Sequence, residues 1–213
     1  MADGQPPPCP NPLVLDTPVD LSLVTSVLYP GQPRGDAFKP HGGFRFDNQP
    51  SNDIIVTAPL DATIRRGSRA FRSGENQYAF EFIAPCGIFY TFGHMLDLSQ
   101  KYLAIANTLP LVGDFATQQF FDVVPPVAAI KGETIATRVG FANDRNVFVE
   151  LAVLDLRHKN GFSLRPEWAA FASGFDEYAI CWLEWLTPQD AARLKALPGG
   201  DSVYGTLSDY CHQ

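Results

Sequence analysis

The sequence predicts a single, mainly β domain with two short helices. Apolar and polar residues alternate over most of residues 44–157, which is typical of half-buried strands. Only two segments, 98–110 and 187–197, combine helical spacing with start and stop signals. A chain of 213 residues is long enough to fill one such core.

The strand-forming segments follow one another with clear breaks. Residues 53–67 form two β-branched runs separated by Ala58-Pro59, as at a strand bend. Residues 76–95 predict a hairpin whose turn is Pro85-Cys86-Gly87. Residues 111–126 have no clear period and predict an inserted loop. The β pattern resumes in "GETIATRVGF" and "NVFVELAVLDLR", with a turn at Asn143-Asp144 between them.

Both helices carry recognisable end signals. Ser99 is the predicted N-cap of the first helix, which Pro110 stops. Thr187 is the predicted N-cap of the second, with Pro188 at its first position, and Pro198-Gly199-Gly200 ends it. We expect this second helix to cap the sheet rather than to begin another domain.

The charge balance excludes some classes of function. The chain has 23 acidic and 16 basic residues and a net charge of -7, without blocks of like charge. Non-specific nucleic-acid binding needs a basic face, so a nucleic-acid partner is not expected. No apolar run reaches the roughly 20 residues that a transmembrane helix needs.

The four cysteines provide a prediction of the cellular compartment of the protein. Cys9, Cys86, Cys181 and Cys211 show neither CxxC nor zinc-finger spacing. Because a chain end frays unless it is tied down, the position of Cys211 predicts a Cys181–Cys211 disulfide, with Cys9–Cys86 as a companion. Such bonds favour a secreted or cell-envelope protein. Four unrelated thiols in a cytoplasmic protein remain the alternative, since "MADGQPPPCPNP" has no signal-peptide features.

Several short motifs occur in a family-like order between residues 39 and 157. They resemble the lysostaphin-type zinc metallopeptidases, which cleave peptidoglycan and have the duplicated-hybrid-motif fold, an antiparallel β sandwich or barrel. The matching segments are HGGFRF at 41–46, APLDATI at 58–64, GIFYTFGHM at 87–95, KGETIA at 131–136 and NVFVE at 146–150. The resemblance divides the chain into an extended lead (1–38), a metallopeptidase-like domain (39–157) and an aromatic and helical extension (158–213).

The resemblance also assigns positions in a site. His41 matches the first zinc ligand and His94 a catalytic histidine, whereas Arg45 stands where the family has a ligand aspartate. Asn146 and Phe148 replace two further histidines. A guanidinium repels cations and a phenyl ring offers no lone pair, so most of the expected ligands are missing. We expect His41 and His94 to face each other, with Arg45 in the place of the metal.

Asp47 leaves two interpretations open. Residues 41, 43, 45 and 47 of a strand point to one face, so Asp47 could share a metal with His41. The two residues are about 20 Å apart on a regular strand at ~3.3 Å per residue, which favours an Arg45–Asp47 ion pair instead. Glu150 is interpreted as structural.

The remaining candidates give weaker patterns. Residues 162–185 contain all three tryptophans, either as hydrophobic core or as a sugar-stacking platform. His158 is interpreted as a solvated turn residue and His212 as part of the tail. No G-x-S-x-G nucleophile motif and no glycine-rich phosphate loop is present.

Two hypotheses of function follow. The first is a metallopeptidase-like domain without cofactor that binds a cell-wall glycan, a peptide or a protein partner through His41, Arg45, Asp47, His94 and Asn146. The alternative is a zinc-dependent hydrolase with a non-standard ligand set that includes His41 and His94, together with Asp47 or Glu150. No motif supports a cofactor-dependent oxidoreductase.

Overall fold

The computed structural model describes residues 7–34, 37–113, 119–161 and 176–211. The described part is mainly β and contains an open ten-stranded sheet, a two-stranded sheet and two α-helices. The predicted fold class is confirmed, in the form consistent with a β sandwich and not a closed barrel.

The strands have these bounds: β1 Ser26–Leu28, β2 Gln32–Arg34, β3 Ala37–Lys39, β4 Gly42–Arg45, β5 Val56–Thr57, β6 Ala62–Arg72, β7 Glu75–Ile83, β8 Ile88–Leu98, β9 Leu111–Val112, β10 Phe121–Ala129, β11 Thr134–Val139 and β12 Phe148–Asp155. The main path through the large sheet is β1-β4-β12-β8-β7-β6-β10. Strand β11 pairs with β5 and β8, β9 pairs with β6, and β2 with β3 forms the small sheet. Strand β12, which carries Glu150, therefore lies between β4 and β8.

The predicted hairpin and strand bend are confirmed. Strands β7 and β8 flank the turn at residues 84–87, and β5 ends before Pro59 while β6 begins at Ala62. The expectation of a loop throughout residues 111–126 is wrong, because β9 and the first part of β10 lie there. Pro125 and Pro126 hide the pattern of β10, whose register against β6 shifts between Asp122 and Val127.

Both helices lie close to the predicted positions. The first, α1, spans Gln100–Ala106 and buries Tyr102 and Ile105. The second, α2, spans Pro188–Lys195, and Thr187 Oγ1 accepts a hydrogen bond of 3.2 Å from the Asp190 amide. This capping contact is the one that the sequence predicted.

Aromatic side chains fill much of the core. Residues with almost no exposed surface include Phe44, Phe82, Tyr90 and Trp182. The ring centroids of Phe44 and Trp182 lie 4.9 Å apart. Trp182 is therefore core rather than a sugar-stacking platform, whereas Trp168 and His212 lie outside the described residues.

Two disulfides tie down the ends of the described chain. Cys9 bonds to Cys86 and Cys181 bonds to Cys211, so both predicted pairs are confirmed. These bonds favour a non-reducing environment. Within the described ranges, no helix combines the length and apolar character required to cross a bilayer.

Candidate functional site

The strand register creates an open space around Glu150. Its cross-strand partners are Gly43 on β4 and Gly93 on β8, and neither carries a side chain. A Cβ atom at Gly93 would lie 3.1 Å from Glu150 Oε2, and one at Gly43 would lie 2.2 Å from the Val149 carbonyl oxygen. Gly93 therefore leaves room for the carboxylate, and Gly43 allows β4 to approach the backbone of β12 closely.

The two predicted histidines meet at this carboxylate. His41 Nε2 lies 3.2 Å from Glu150 Oε1, and His94 Nε2 lies 3.4 Å from Glu150 Oε2. All three side chains are about three-quarters buried or more. Glu150, and not Arg45, is thus the group that contacts both histidines. We name these three residues the His-Glu-His cluster.

The cluster determines the charge on Glu150. Burial by itself would raise the pKa of this carboxyl group. The charge on His41 and hydrogen bonds from both histidines more than offset burial, and they hold the pKa of Glu150 well below its ordinary value. Glu150 is therefore a stable anion in the folded protein.

His41 is held through its backbone as well. Arg34 on β2 donates one hydrogen bond of 2.6 Å to the His41 carbonyl oxygen and another of 2.7 Å to that of Tyr29. Burial lowers the pKa of the Arg34 guanidinium, while the negative charges of Glu150 and Asp201 act in the opposite direction. The N-terminal segment thereby fixes the entry into β4.

His94 has an unusual backbone conformation. Its φ of 59° lies in the left-handed region, which is uncommon for residues other than glycine. The pairing registers of β8 with β7 and with β11 both shift close to this residue. The rings of Phe141 and Phe148 flank the imidazole, with centroids 4.9 and 4.6 Å away. Such local strain is a feature of many functional sites.

Arg45 and Asp47 form a separate ion pair. Arg45 Nη2 lies 2.6 Å from Asp47 Oδ1, and Asp47 Oδ2 accepts hydrogen bonds from Thr25 and Ser26. The ion-pair interpretation is therefore the one that the structure supports, and Asp47 does not contact His41. The expectation that Arg45 lies in the place of a metal between the histidines is corrected, because its guanidinium pairs with Asp47 and the Glu150 carboxylate is the group between the histidines.

The residues at the positions that the resemblance assigns to zinc ligands do not suit a metal ion. Arg45 and Phe148 are direct cross-strand partners, one of them a cation and the other apolar. His41, the remaining position, directs Nε2 to Glu150. Among the described residues, no group of three His, Cys, Asp or Glu side chains is arranged to hold a metal ion.

Asn146 and His158 have partners outside the His-Glu-His cluster. The backbone of Asn146 pairs with Phe141 across a tight turn, and its side-chain oxygen is buried without a hydrogen-bond partner within the described residues. His158 is exposed and contacts Asp155 at 3.1 Å, as expected for a turn residue.

A groove of about 290 Å³ runs along the sheet from the His-Glu-His cluster. Its floor contains Thr91, Gly93 and Ala152, and Phe89 and Phe120 contribute apolar surface. At its far end Glu81 pairs with Arg66 at 2.5 Å. We name this feature the Glu150 groove.

Sequence reasoning missed the roles of three residues at this site, among them Gln77, whose Oε1 lies 3.2 Å from His94 Nδ1. Glu150 was interpreted as structural or as a member of the hydrolase site, not as the partner of both histidines, and Gln77 and Phe141 were not singled out. Their signals are weak, because Gln77 is one polar position in an alternating strand and Phe141 one of sixteen phenylalanines. Comparison of the chain with protein-family models, with curated proteins and with solved structures found no match in any of the three.

Proposed function

We propose that this protein is a non-catalytic binding module, built on a β fold similar to that of the lysostaphin-type metallopeptidases. The observation that carries the proposal is the Glu150 carboxylate between His41 and His94. The carboxylate uses the Nε2 atoms of both histidines for contacts within the protein. Arg45 and Phe148 occupy positions at which the metallopeptidases have zinc ligands. What remains is a shaped groove with fixed polar groups.

The surface of the Glu150 groove suits a cell-wall glycan or peptide. Binding sites for small ligands combine apolar walls with a few fixed polar groups. Here Phe89 and Phe120 supply the apolar surface, and Thr91 and Glu150 supply polar groups. A carboxylate accepts hydrogen bonds from hydroxyl and amide groups, both of which are abundant in peptidoglycan. The two disulfides agree with a secreted or cell-envelope location, which is part of the proposal.

Cosedimentation with purified peptidoglycan sacculi tests the binding function. The wild-type protein should sediment with sacculi, and Ala152→Trp, which fills the groove floor, should reduce the bound fraction at least tenfold. Asp144→Asn is a matched control, because Asp144 lies exposed in the turn after Phe141. Wild-type sedimentation no greater than that of an unrelated acidic protein would reject the proposal.

Zinc content and cleavage test the alternative hydrolase. After incubation with zinc and dialysis, the protein should retain no stoichiometric metal and should release no fragments from sacculi. Arg45→Asp should raise the affinity for zinc only slightly, because Phe148 still leaves a ligand missing. One zinc per chain that is lost on His41→Ala would instead support a zinc hydrolase with His41 and His94 among its ligands.

A further inference from the structure

The last described residues, 201–211, lie against the segment that leads into the small sheet of β2 and β3. Ser208 Oγ donates a hydrogen bond of 2.5 Å to the Pro30 carbonyl oxygen. The Asp209 amide donates one of 2.9 Å to the carbonyl oxygen of Gly31. We name residues 201–211 the tail strap, since they cross the start of this sheet.

Gln32 connects the tail strap to Arg34. Its Nε2 donates to the carbonyl oxygens of Gly205 and Leu207, at 3.0 and 2.5 Å, and its Oε1 accepts from Arg34 Nη1 at 3.4 Å. Gln32 is only 1% exposed, so water has little access to its amide. The negative charge of Asp201 in the strap also acts on the Arg34 guanidinium. The strap therefore holds Arg34 by a hydrogen bond and by charge.

Arg34 in turn links Gln32 to the site. Its Nη2 donates to the His41 carbonyl oxygen at 2.6 Å, and His41 Nε2 lies 3.2 Å from Glu150 Oε1. His41 and Glu150 both line the Glu150 groove. A continuous chain of contacts therefore runs from the tail strap through Gln32, Arg34 and His41 to the carboxylate in the groove.

Tyr210 makes a second connection between the tail strap and the groove. Its ring packs edge-on against Phe38 of β3, with centroids 5.8 Å apart, and a Cβ atom at Gly31 would lie 2.8 Å from the ring. Its hydroxyl group donates to the Asp176 carbonyl oxygen at 3.2 Å, and Asp176 also lines the groove. The strap therefore contacts both the strand before His41 and a wall of the groove.

A disulfide fixes the end of the tail strap. Cys211 is bonded to Cys181, and the Cys211 amide donates to Ser208 Oγ at 3.0 Å. Among the described residues, a cavity of about 390 Å³ reaches both cysteines, and Trp185 and Asp209 also line it. A small thiol can therefore approach the bond through this cavity.

We propose that the Cys181–Cys211 bond is a redox-sensitive latch, which holds His41 and Asp176 in place at the Glu150 groove only while it is oxidised. A chain end frays unless it is tied down, because each of its contacts then forms at the full cost in conformational entropy. Opening the bond therefore loosens the tail strap and the two groove residues that it supports. The effect on ligand affinity rests on the proposed binding function.

A dithiol reductant is the reagent that opens the latch. One thiolate of the dithiol attacks a sulfur atom of the bond and forms a mixed disulfide, which the second thiol of the reductant resolves. The dithiol gives up two electrons and two protons and becomes a disulfide. Cys181 and Cys211 receive them and become two thiols, so that the strap is held by its noncovalent contacts alone.

Histidine NMR tests the coupling without any ligand. In full-length protein labelled with 15N-histidine, Cys181→Ser together with Cys211→Ser should shift the ring signals of His41, which are assigned by their loss in His41→Asn. Cys9→Ser together with Cys86→Ser is the control, because it opens the other disulfide. The control should leave these signals in place, although its longer loop predicts the larger loss of stability. Unchanged His41 signals in the first variant, or equal shifts in both, would overturn the proposal.

A single substitution in the tail strap decides the coupling if the cysteine variant does not fold. Ser208→Ala keeps both disulfides and removes the contact with Pro30, so it should shift the His41 signals in the same direction by a smaller amount. Ser202→Ala is the matched control, because Ser202 is an exposed serine of the same strap. Identical His41 signals in the two serine variants would reject a link between the strap and the site.

Reversible reduction tests the latch itself. The chain has four cysteines, so the Cys9→Ser, Cys86→Ser variant contains only the latch disulfide. Dithiothreitol should release two thiols per chain and lower the affinity for sacculi about fivefold, the effect of about one net hydrogen bond, and oxidised glutathione should restore it. Affinity unchanged after release of both thiols would overturn the latch. If the oxidised variant and the wild type both fail to sediment with sacculi, the binding function is wrong, while the His41 signals still decide the coupling.

Discussion

At the scale of single residues, the Glu150 carboxylate connects three strands. It contacts His41 before β4 and His94 on β8, while its own backbone pairs with both strands. A partly buried charge is costly unless it is paired, so each histidine offsets part of the desolvation of Glu150. Loss of this charge should therefore affect both stability and the groove.

Glu150→Gln should lower the free energy of unfolding by about 1.5–3 kcal/mol near pH 7, the usual contribution of hydrogen bonds to charged groups. Chemical denaturation measures the difference. Asp144→Asn is the control, since it removes an exposed carboxylate and should change stability by less than about 0.5 kcal/mol. Equal effects of both substitutions would contradict the role of the cluster.

The lowered pKa of Glu150 also predicts that its contribution to stability depends on pH. The pKa of Glu150 is lowered on folding, so its stabilising contribution is fully present above the unfolded value of about 4.3 and is lost as pH falls through the folded value. The difference in stability between wild type and Glu150→Gln should therefore shrink progressively below about pH 4. A difference in stability that grows as the pH falls would contradict a lowered pKa of Glu150 in the folded protein.

At the scale of elements, the two helices start differently. Thr187 caps α2 through its hydroxyl oxygen, which accepts from the Asp190 amide, and its hydroxyl group donates to Asp190 Oδ2 at 2.8 Å. Ser99 precedes α1, but its side chain makes no capping hydrogen bond. Helix α1 depends instead on buried Tyr102 and Ile105.

Thr187→Ala should consequently destabilise the protein by about 1 kcal/mol, whereas Ser99→Ala should be close to neutral. Thermal or chemical unfolding of the two variants measures both values. The pair is matched, because each substitution removes one hydroxyl group at the start of a short helix. A larger cost at Ser99 than at Thr187 would contradict the capping geometry.

At the scale of the whole molecule, both ends of the described part of the chain are fastened to the rest of the fold. The segment after α2 returns to the N-terminal part of the fold, where Gln32 Nε2 donates to the Gly205 carbonyl oxygen at 3.0 Å and the Asp209 amide donates to that of Gly31 at 2.9 Å. The Cys181–Cys211 bond closes this segment, and Cys9–Cys86 holds the proline-rich lead against the β7–β8 turn.

Removal of either disulfide should be costly, and the cost should rise slowly with the length of the loop that the bond closes. The separations are 30 residues for Cys181–Cys211 and 77 for Cys9–Cys86. Chain entropy predicts losses of about 3–4 and about 4–5 kcal/mol for the respective paired Cys→Ser variants. Denaturation measures both losses, and non-reducing peptide mapping checks the pairing. Losses below about 1 kcal/mol would contradict this account.

The sequence by itself determined the features that depend on local patterns. Alternation predicted β7, β8 and β12, since a strand exposes opposite faces at successive residues. Thr187 and Pro188 predicted the start of α2, because capping acts within one helical turn. The position of Cys211 predicted its pairing with Cys181, with four unrelated thiols as the alternative, and the structure shows the bond. The broken pattern around Pro125 hid β10.

Only the tertiary structure decided how the side chains of the site combine. Glu150, His94, Gln77 and His41 come from separate segments, and their meeting depends on strand order and register, which one sequence does not specify. The sequence already favoured the Arg45–Asp47 ion pair, and the tertiary structure added the hydrogen bonds from Thr25 and Ser26 that hold Asp47 Oδ2. The role of Glu150 depended on glycines that are next to it only across the sheet, because backbone pairing between distant strands, and not local spacing, sets which side chains have room.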